Sequence, residues 1–124
     1  MAGELILIVE DNEKNLKLVR DVLQAKGYQT VEAGTGEDGV RLAKDRHPAL
    51  VLMDIQLPGI NGITALGQIR ADPATRAIPV IAVTASAMTH DRQKIMAAGF
   101  DGYQSKPIRV KEFLDAVRAM LDRK

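Results

Sequence analysis

Short aliphatic runs alternate along this chain with longer stretches in which apolar side chains recur every three or four positions. Leu5-Ile6-Leu7-Ile8-Val9 is the first run, and five consecutive aliphatic residues predict a strand buried on both faces. Leu16, Val19, Val22 and Leu23 then repeat at helical spacing, and Gly27 stands where a helix end is expected. Tyr28 to Ala33 predicts a second strand. Thr35 with Asp38 resembles a capping pair that opens a second helix reaching about Asp45. Ala49 to Met53 predicts a third strand, ending at Asp54, and the turn residues of Leu57-Pro58-Gly59-Ile60-Asn61-Gly62 predict a loop. Ile63, Leu66 and Ile69 mark a third helix, and Val80 to Val83 a fourth strand ending at Thr84. A less hydrophobic helix follows over roughly Thr89 to Ala98, stopped by Gly99, and then a short strand from Gly102 to Ser105. Val110, Phe113, Leu114, Val117 and Leu121 form the apolar stripe of a last helix. Five strand–helix units without a linker or repeat predict one α/β domain over residues 1–124, with a parallel sheet and right-handed crossovers.

Composition narrows this. The chain has 124 residues, a usual size for one domain, and 46% of them are hydrophobic while only 3% are aromatic, so the core must be aliphatic. Basic and acidic residues number 17 and 16, a formal net charge of +1 with no run of five like charges, which argues against direct nucleic-acid or membrane binding. The absence of cysteine excludes disulfides, thiolate metal sites and a cysteine nucleophile. The amino-terminal residues carry no basic region and the run from Leu5 to Val9 is too short for a signal peptide or a span, so a cytoplasmic protein is expected.

The polar residues of interest fall where predicted strands end. Glu10 and Asp11 follow the first, Asp54 the third, Thr84 the fourth and Lys106 the fifth. A parallel sheet brings all of these ends to one edge, where such folds place their sites. Three carboxylates gathered there repel: at ~6 Å and an effective dielectric of ~20, each pair costs about 3 kcal/mol. One lysine cannot neutralise them, and hard oxygen donors without His or Cys point to Mg²⁺, with Mn²⁺ as the alternative. A cation beside a carboxylate invites phosphoryl chemistry. Asp54 then becomes the nucleophile, Asp11 and Glu10 hold the metal, Lys106 pairs with Asp54 and later with a phosphoryl oxygen, and Thr84 donates to another. The small Ala85 leaves room for the incoming group.

At these residues the chain resembles the receiver domain of bacterial two-component response regulators. The resemblance rests on Val9-Glu10-Asp11-Asn12, on Met53-Asp54 with Pro58 four and Gly62 eight residues on, on Val83-Thr84-Ala85, and on Lys106-Pro107. Each motif alone is weak; their order and spacing together are specific and cover the whole chain. Asp11-Asn12 with Asn15, and Met53-Asp54-Ile55-Gln56-Leu57-Pro58, are similar to single-domain cell-division regulators of the DivK type, and to receivers of hybrid histidine kinases. The resemblance implies a flavodoxin-like (CheY-like) doubly wound sheet of five strands in order 2-1-3-4-5 with five helices. It implies a 4-aspartylphosphate at Asp54, metal ligands Glu10, Asp11, Asp54 and the Gln56 backbone carbonyl, and a cis peptide bond before Pro107. It also implies a switch pair of Thr84 and Tyr103, the latter 19 residues after Thr84 and three before Lys106. Gln56 and Ser86 occupy positions that tune phosphoryl lifetime in that family, and the acid pair is Glu-Asp rather than Asp-Asp.

The expected function is a phosphorylation-dependent switch of a two-component phosphorelay, phosphorylated by a histidine kinase or phosphotransfer protein and read by a downstream protein effector. It would be a monomer or a weak phosphorylation-dependent dimer, and not an enzyme beyond its own phosphorylation and slow autodephosphorylation. The chain ends at Lys124, just after the fifth helix, which suggests a stand-alone receiver. The alternative is a receiver module of a hybrid kinase or multidomain regulator. A haloacid-dehalogenase-type phosphohydrolase would want a second acid two residues after Asp54, where Gln56 stands, and a flavodoxin-like nucleotide binder would want a glycine loop after the first strand. His47 and His90 have no metal-ligand partner four residues away on either side and read as surface residues. Met88, Met96 and Met120 read as core or adaptable contact surface, and the alternating charges of the last helix as a solvated face.

Overall fold

The computed structural model of the chain describes residues 3–85 and 89–122. Ten elements alternate: β1 (Leu5–Val9), α1 (Glu13–Ala25), β2 (Gln29–Ala33), α2 (Gly36–Arg46), β3 (Leu50–Asp54), α3 (Gly62–Ala71), β4 (Val80–Thr84), α4 (Thr89–Ala97), β5 (Gly102–Ser105) and α5 (Val110–Asp122). All strand pairs are parallel and the sheet order is β2-β1-β3-β4-β5. The topological switch therefore lies between β1 and β3. Every residue of β3 and β4 is buried, as the unbroken aliphatic runs require of strands covered on both faces.

Two aliphatic layers flank the sheet. Leu7, Val51, Met53, Ala82, Leu66 and Ile69 belong to the side that α3 covers. Ile8, Leu52, Ile81, Leu23, Phe113 and Val117 belong to the side that α1 and α5 cover. Alternate residues of one strand serve opposite layers, which is the period-2 rule at work in strands that read as continuous hydrophobic runs. Each fully buried Leu, Ile or Phe removes enough apolar surface from water to contribute about 1.5–3 kcal/mol.

The helix starts are set by local polar chemistry. The Asn12 side chain accepts the Lys14 and Asn15 N–H groups, Thr35 accepts the Asp38 N–H, and Asn61 accepts the Thr64 N–H. At the sheet's amino-terminal edge the Arg70 guanidinium donates to the carbonyls of Arg76, Ile78 and Gly99 and to the Asp101 carboxylate, 2.6 Å away. That one side chain fastens the turn before β4 and the turn before β5 to the end of α3.

Several boundaries differ from the sequence pattern. Tyr28 stays outside β2 because its N–H returns to the Leu23 carbonyl and so completes the end of α1. β3 begins at Leu50, one residue after the expected Ala49, and ends on Asp54 as the pattern has it, in register with Val83. Val110, expected in the apolar stripe of α5, is 44% exposed: it is the first residue of the helix, and the stripe becomes fully buried only at Phe113 and Val117. Met96 is 40% exposed and Met120 is partly buried against the α1/α5 layer. Ser86, Met88 and the side chain of His90 lie outside the described residues. Among the described residues no helix is long and apolar enough to cross a membrane.

Candidate functional site

The parallel sheet delivers its carboxyl ends to one edge, and the backbone ladder carries the chemistry there. The Glu10 N–H bonds to the Ala33 carbonyl at 2.9 Å, so the first acid is held as a continuation of β1. Asp54 closes β3. The Lys106 N–H bonds to the Thr84 carbonyl at 2.8 Å, which ties the lysine to the end of β4, and the Lys106–Pro107 peptide bond is cis.

Behind Asp54 the chain turns tightly. The Gly62 N–H bonds to the Ile55 carbonyl at 3.0 Å, and a Cβ on Gly62 would collide with the Asp54 carbonyl and sit 2.9 Å from the Ile55 Cα. Only hydrogen fits where α3 begins against the backbone of the strand end. Gly62 thus fixes how closely α3 approaches Asp54.

Glu10 and Asp54 are 5% and 4% exposed, whereas Asp11 is open to solvent. The Lys106 ammonium sits between the two buried acids, 2.8 Å from Glu10 Oε1 and 3.0 Å from Asp54 Oδ2. The other oxygen of each acid accepts a backbone N–H: Asn12 donates to Glu10 at 3.1 Å and Gln56 to Asp54 at 3.0 Å. Carboxylate oxygens of Glu10, Asp11 and Asp54 lie within 4.8 Å of one another. Burial raises the Glu10 pKa above its ordinary value, with the Lys106 contact working against that rise. Burial disfavours the Lys106 charge too, but Glu10 and Asp54 outweigh it and the lysine pKa rises.

Three carboxylates and one ammonium leave a net charge of −2 in a small, partly dry space. Such an oxygen-only donor set suits a hard divalent cation, and Mg²⁺ fits it. Lys106 and the cation would then be complementary counter-charges rather than rivals.

The structure brings Glu10, Asp11, Asp54 and Lys106 together at the edge expected from the sequence. Thr84 is 1% exposed and adjoins them through the Lys106 N–H; Ala85, next to it, is exposed. Gln56 is exposed beside Asp54. Tyr103 stands on β5 opposite Ala82, half-buried against the aliphatic layer. Sequence reasoning paired Lys106 with Asp54 alone and missed its shorter contact to Glu10. No sequence signal carries it, because it depends on how two long side chains meet. Asn12 belongs to the Glu-Asp-Asn motif, but its N-cap side chain and its N–H to Glu10 go beyond that motif. An Asn immediately before a helical pattern was the available signal.

Known proteins resemble the chain in both sequence and fold. Residues 6–118 match the family model of the response regulator receiver domain. The chain is 45% identical over 116 residues to the polar-differentiation response regulator DivK of Brucella ovis, 94% of each chain being covered. DivK of Brucella anthropi is similar at 44% identity over 116 residues, again 94% of each chain. Among solved structures, the receiver domain of a sensor histidine kinase from Pseudomonas aeruginosa PAO1 superposes with a TM-score of 0.91 at 34% identity, covering 98% of this chain and 100% of that one. That protein was solved with a magnesium ion coordinated in its active site cleft. A CheY-like receiver domain protein from Methanospirillum hungatei gives a TM-score of 0.86 at 28% identity, covering 98% of this chain and 95% of that one. The fold, the acidic edge and these likenesses converge, and the chain belongs to the response regulator receiver domain family of two-component systems.

Proposed function

We propose that the chain is a DivK-like signalling switch of the cytoplasm, the receiver unit spanning residues 1–124, which takes a phosphoryl group onto Asp54 from a phosphohistidine of a kinase or phosphotransfer protein. An Asp54 carboxylate oxygen attacks phosphorus, the phosphorus–nitrogen bond to the donor imidazole breaks with its electron pair leaving on nitrogen, and a mixed anhydride forms. Lys106 stays anchored by Glu10 while its second contact passes from Asp54 to a phosphoryl oxygen. The Thr84 hydroxyl donates to another oxygen of the group, and Ala85 beside it gives the group room to enter. Glu10, Asp11, Asp54 and the Gln56 carbonyl would hold Mg²⁺, or Mn²⁺ in its place. The cation supplies electrostatic stabilisation of the charge that spreads over the transferring group.

Carboxylate and ammonium are thus both consumed by the product. Thr84 drawn toward the phosphoryl group frees space along β4, and Tyr103 turns inward, remodelling the face of α4, β5 and α5 that a downstream protein reads. The chain is a substrate and a switch, with no turnover of its own beyond slow loss of the phosphoryl group. It acts by protein contact, as a monomer or a weak dimer once phosphorylated. A module of a sensor kinase is the second reading, favoured by the 34% identity to the Pseudomonas aeruginosa kinase receiver.

The observation that carries the proposal is the single ammonium shared by two buried acids beside an exposed third, all at one sheet edge. Incubation with Mg²⁺ and acetyl phosphate should give an acid-stable, base-labile adduct in the wild type and none in Asp54→Asn. Equal labelling of both would overturn the assignment.

A further inference from the structure

Tyr103 is bound to more than its strand. Arg92, on the exposed side of α4, places its guanidinium carbon 5.6 Å from the centroid of the Tyr103 ring. That lies within the distance, about 6 Å, at which a cation is attracted to the ring's π-face, and near its outer limit. A rotation of the ring away from α4 therefore ends the contact rather than stretching it. The same structure has Lys106 engaged by Asp54 and Glu10, so the ring is seen in the arrangement in which the acceptor carboxylate still holds the lysine.

We infer that Arg92 is a positioning residue for the switch: its guanidinium holds the Tyr103 ring in the resting orientation and sets how much of the protein occupies the activated one before phosphorylation. This rests on the reading of Tyr103 as the switch side chain. The physical basis is differential binding: a contact present in one state and absent in the other shifts the equilibrium by its own strength and no more. An exposed cation–π pair corresponds to roughly a two- to fivefold change in the ratio of the states. By linkage, a ligand that binds the activated state must bind tighter by the same factor once the brace is gone. Arginine suits the role because its charge does not titrate and its planar group stacks on an aromatic face.

The experiment compares wild type, Arg92→Gln and Arg92→Lys by NMR of the tyrosine ring and β5 amides, titrated with beryllofluoride in saturating Mg²⁺. Gln and Lys have similar helix propensities, so α4 itself is little disturbed. The Tyr103 signals of Arg92→Gln, without beryllofluoride, should move along the line from resting to beryllofluoride-bound wild type. Its beryllofluoride midpoint should fall by roughly two- to fivefold. Arg92→Lys, which keeps a cation, should lie between Gln and wild type. If the wild-type Tyr103 signals do not respond to beryllofluoride, the switch reading of Tyr103 fails and the brace with it. If they respond but Arg92→Gln leaves both the starting position and the midpoint unchanged, or moves them the other way, only the brace is overturned. Equal shifts in Gln and Lys also overturn it, since they would mark a packing effect without the cation.

Discussion

Glu10 is the residue whose behaviour the geometry most constrains. It is nearly sealed from water, shares Lys106 with Asp54, and is pushed by burial above its ordinary pKa. The folded state thus holds the Glu10 proton more tightly than the unfolded chain does. Its contribution to stability in metal-free protein is present at pH below the ordinary glutamate value and is lost as pH rises through the raised one. Metal binding as proposed for Glu10 runs the opposite way, because a carboxylate ligand must be deprotonated. Mg²⁺ affinity, followed by calorimetric titration across a pH series, should weaken as pH falls through the raised Glu10 value. The slope approaches about tenfold per pH unit for one displaced proton. Glu10→Gln should flatten that slope; an unchanged slope would show that another group carries the proton.

The helices and strands read clearly from the pattern of apolar residues, but what fixes their closest approaches does not. α3 carries two glycines with opposite meanings. A Cβ at Gly62 meets the immovable backbone of Asp54 and Ile55, whereas a Cβ at the exposed Gly67 meets nothing within 4 Å. Gly62→Ala should therefore cost about 1–3 kcal/mol in urea unfolding, as forced overpacking does. Gly67→Ala should stabilise by up to about 1 kcal/mol through helix propensity. A stabilised Gly62→Ala would mean that α3 can retreat from the strand end. The strand-end acids, Thr84 and Lys106 were legible because a parallel sheet maps five separate positions in the sequence onto one edge. The Lys106–Glu10 contact, the Arg92–Tyr103 stack and the exposure of Val110 were not, since they depend on side-chain reach, on helix phase relative to a strand, and on where α5 begins relative to the sheet. Gly62 was visible only as a motif position; its reason emerges once the Asp54 carbonyl lies beside it.

Across the whole molecule the two edges of the sheet differ in kind. The carboxyl edge gathers buried charge, while the amino edge is fastened by Arg70 to three carbonyls and the Asp101 carboxylate. Arg70→Met should lower stability by about 2–3 kcal/mol, the scale of hydrogen bonds to a charged group, since several carbonyls lose their donor. Beryllofluoride affinity should stay the same, because sites this far apart and without shared partners behave additively. A matching fall in that affinity would mean the two edges are coupled. The bracket also makes the amino edge a natural place for a reporter. The chain contains no cysteine, so a thiol introduced at the exposed Ala74, in the turn that Arg70 pins, would be the sole labelling point. A dye or spin label there would tumble with the body of the protein instead of with a loose loop, and would track encounters with a partner without touching the chemistry at the other edge.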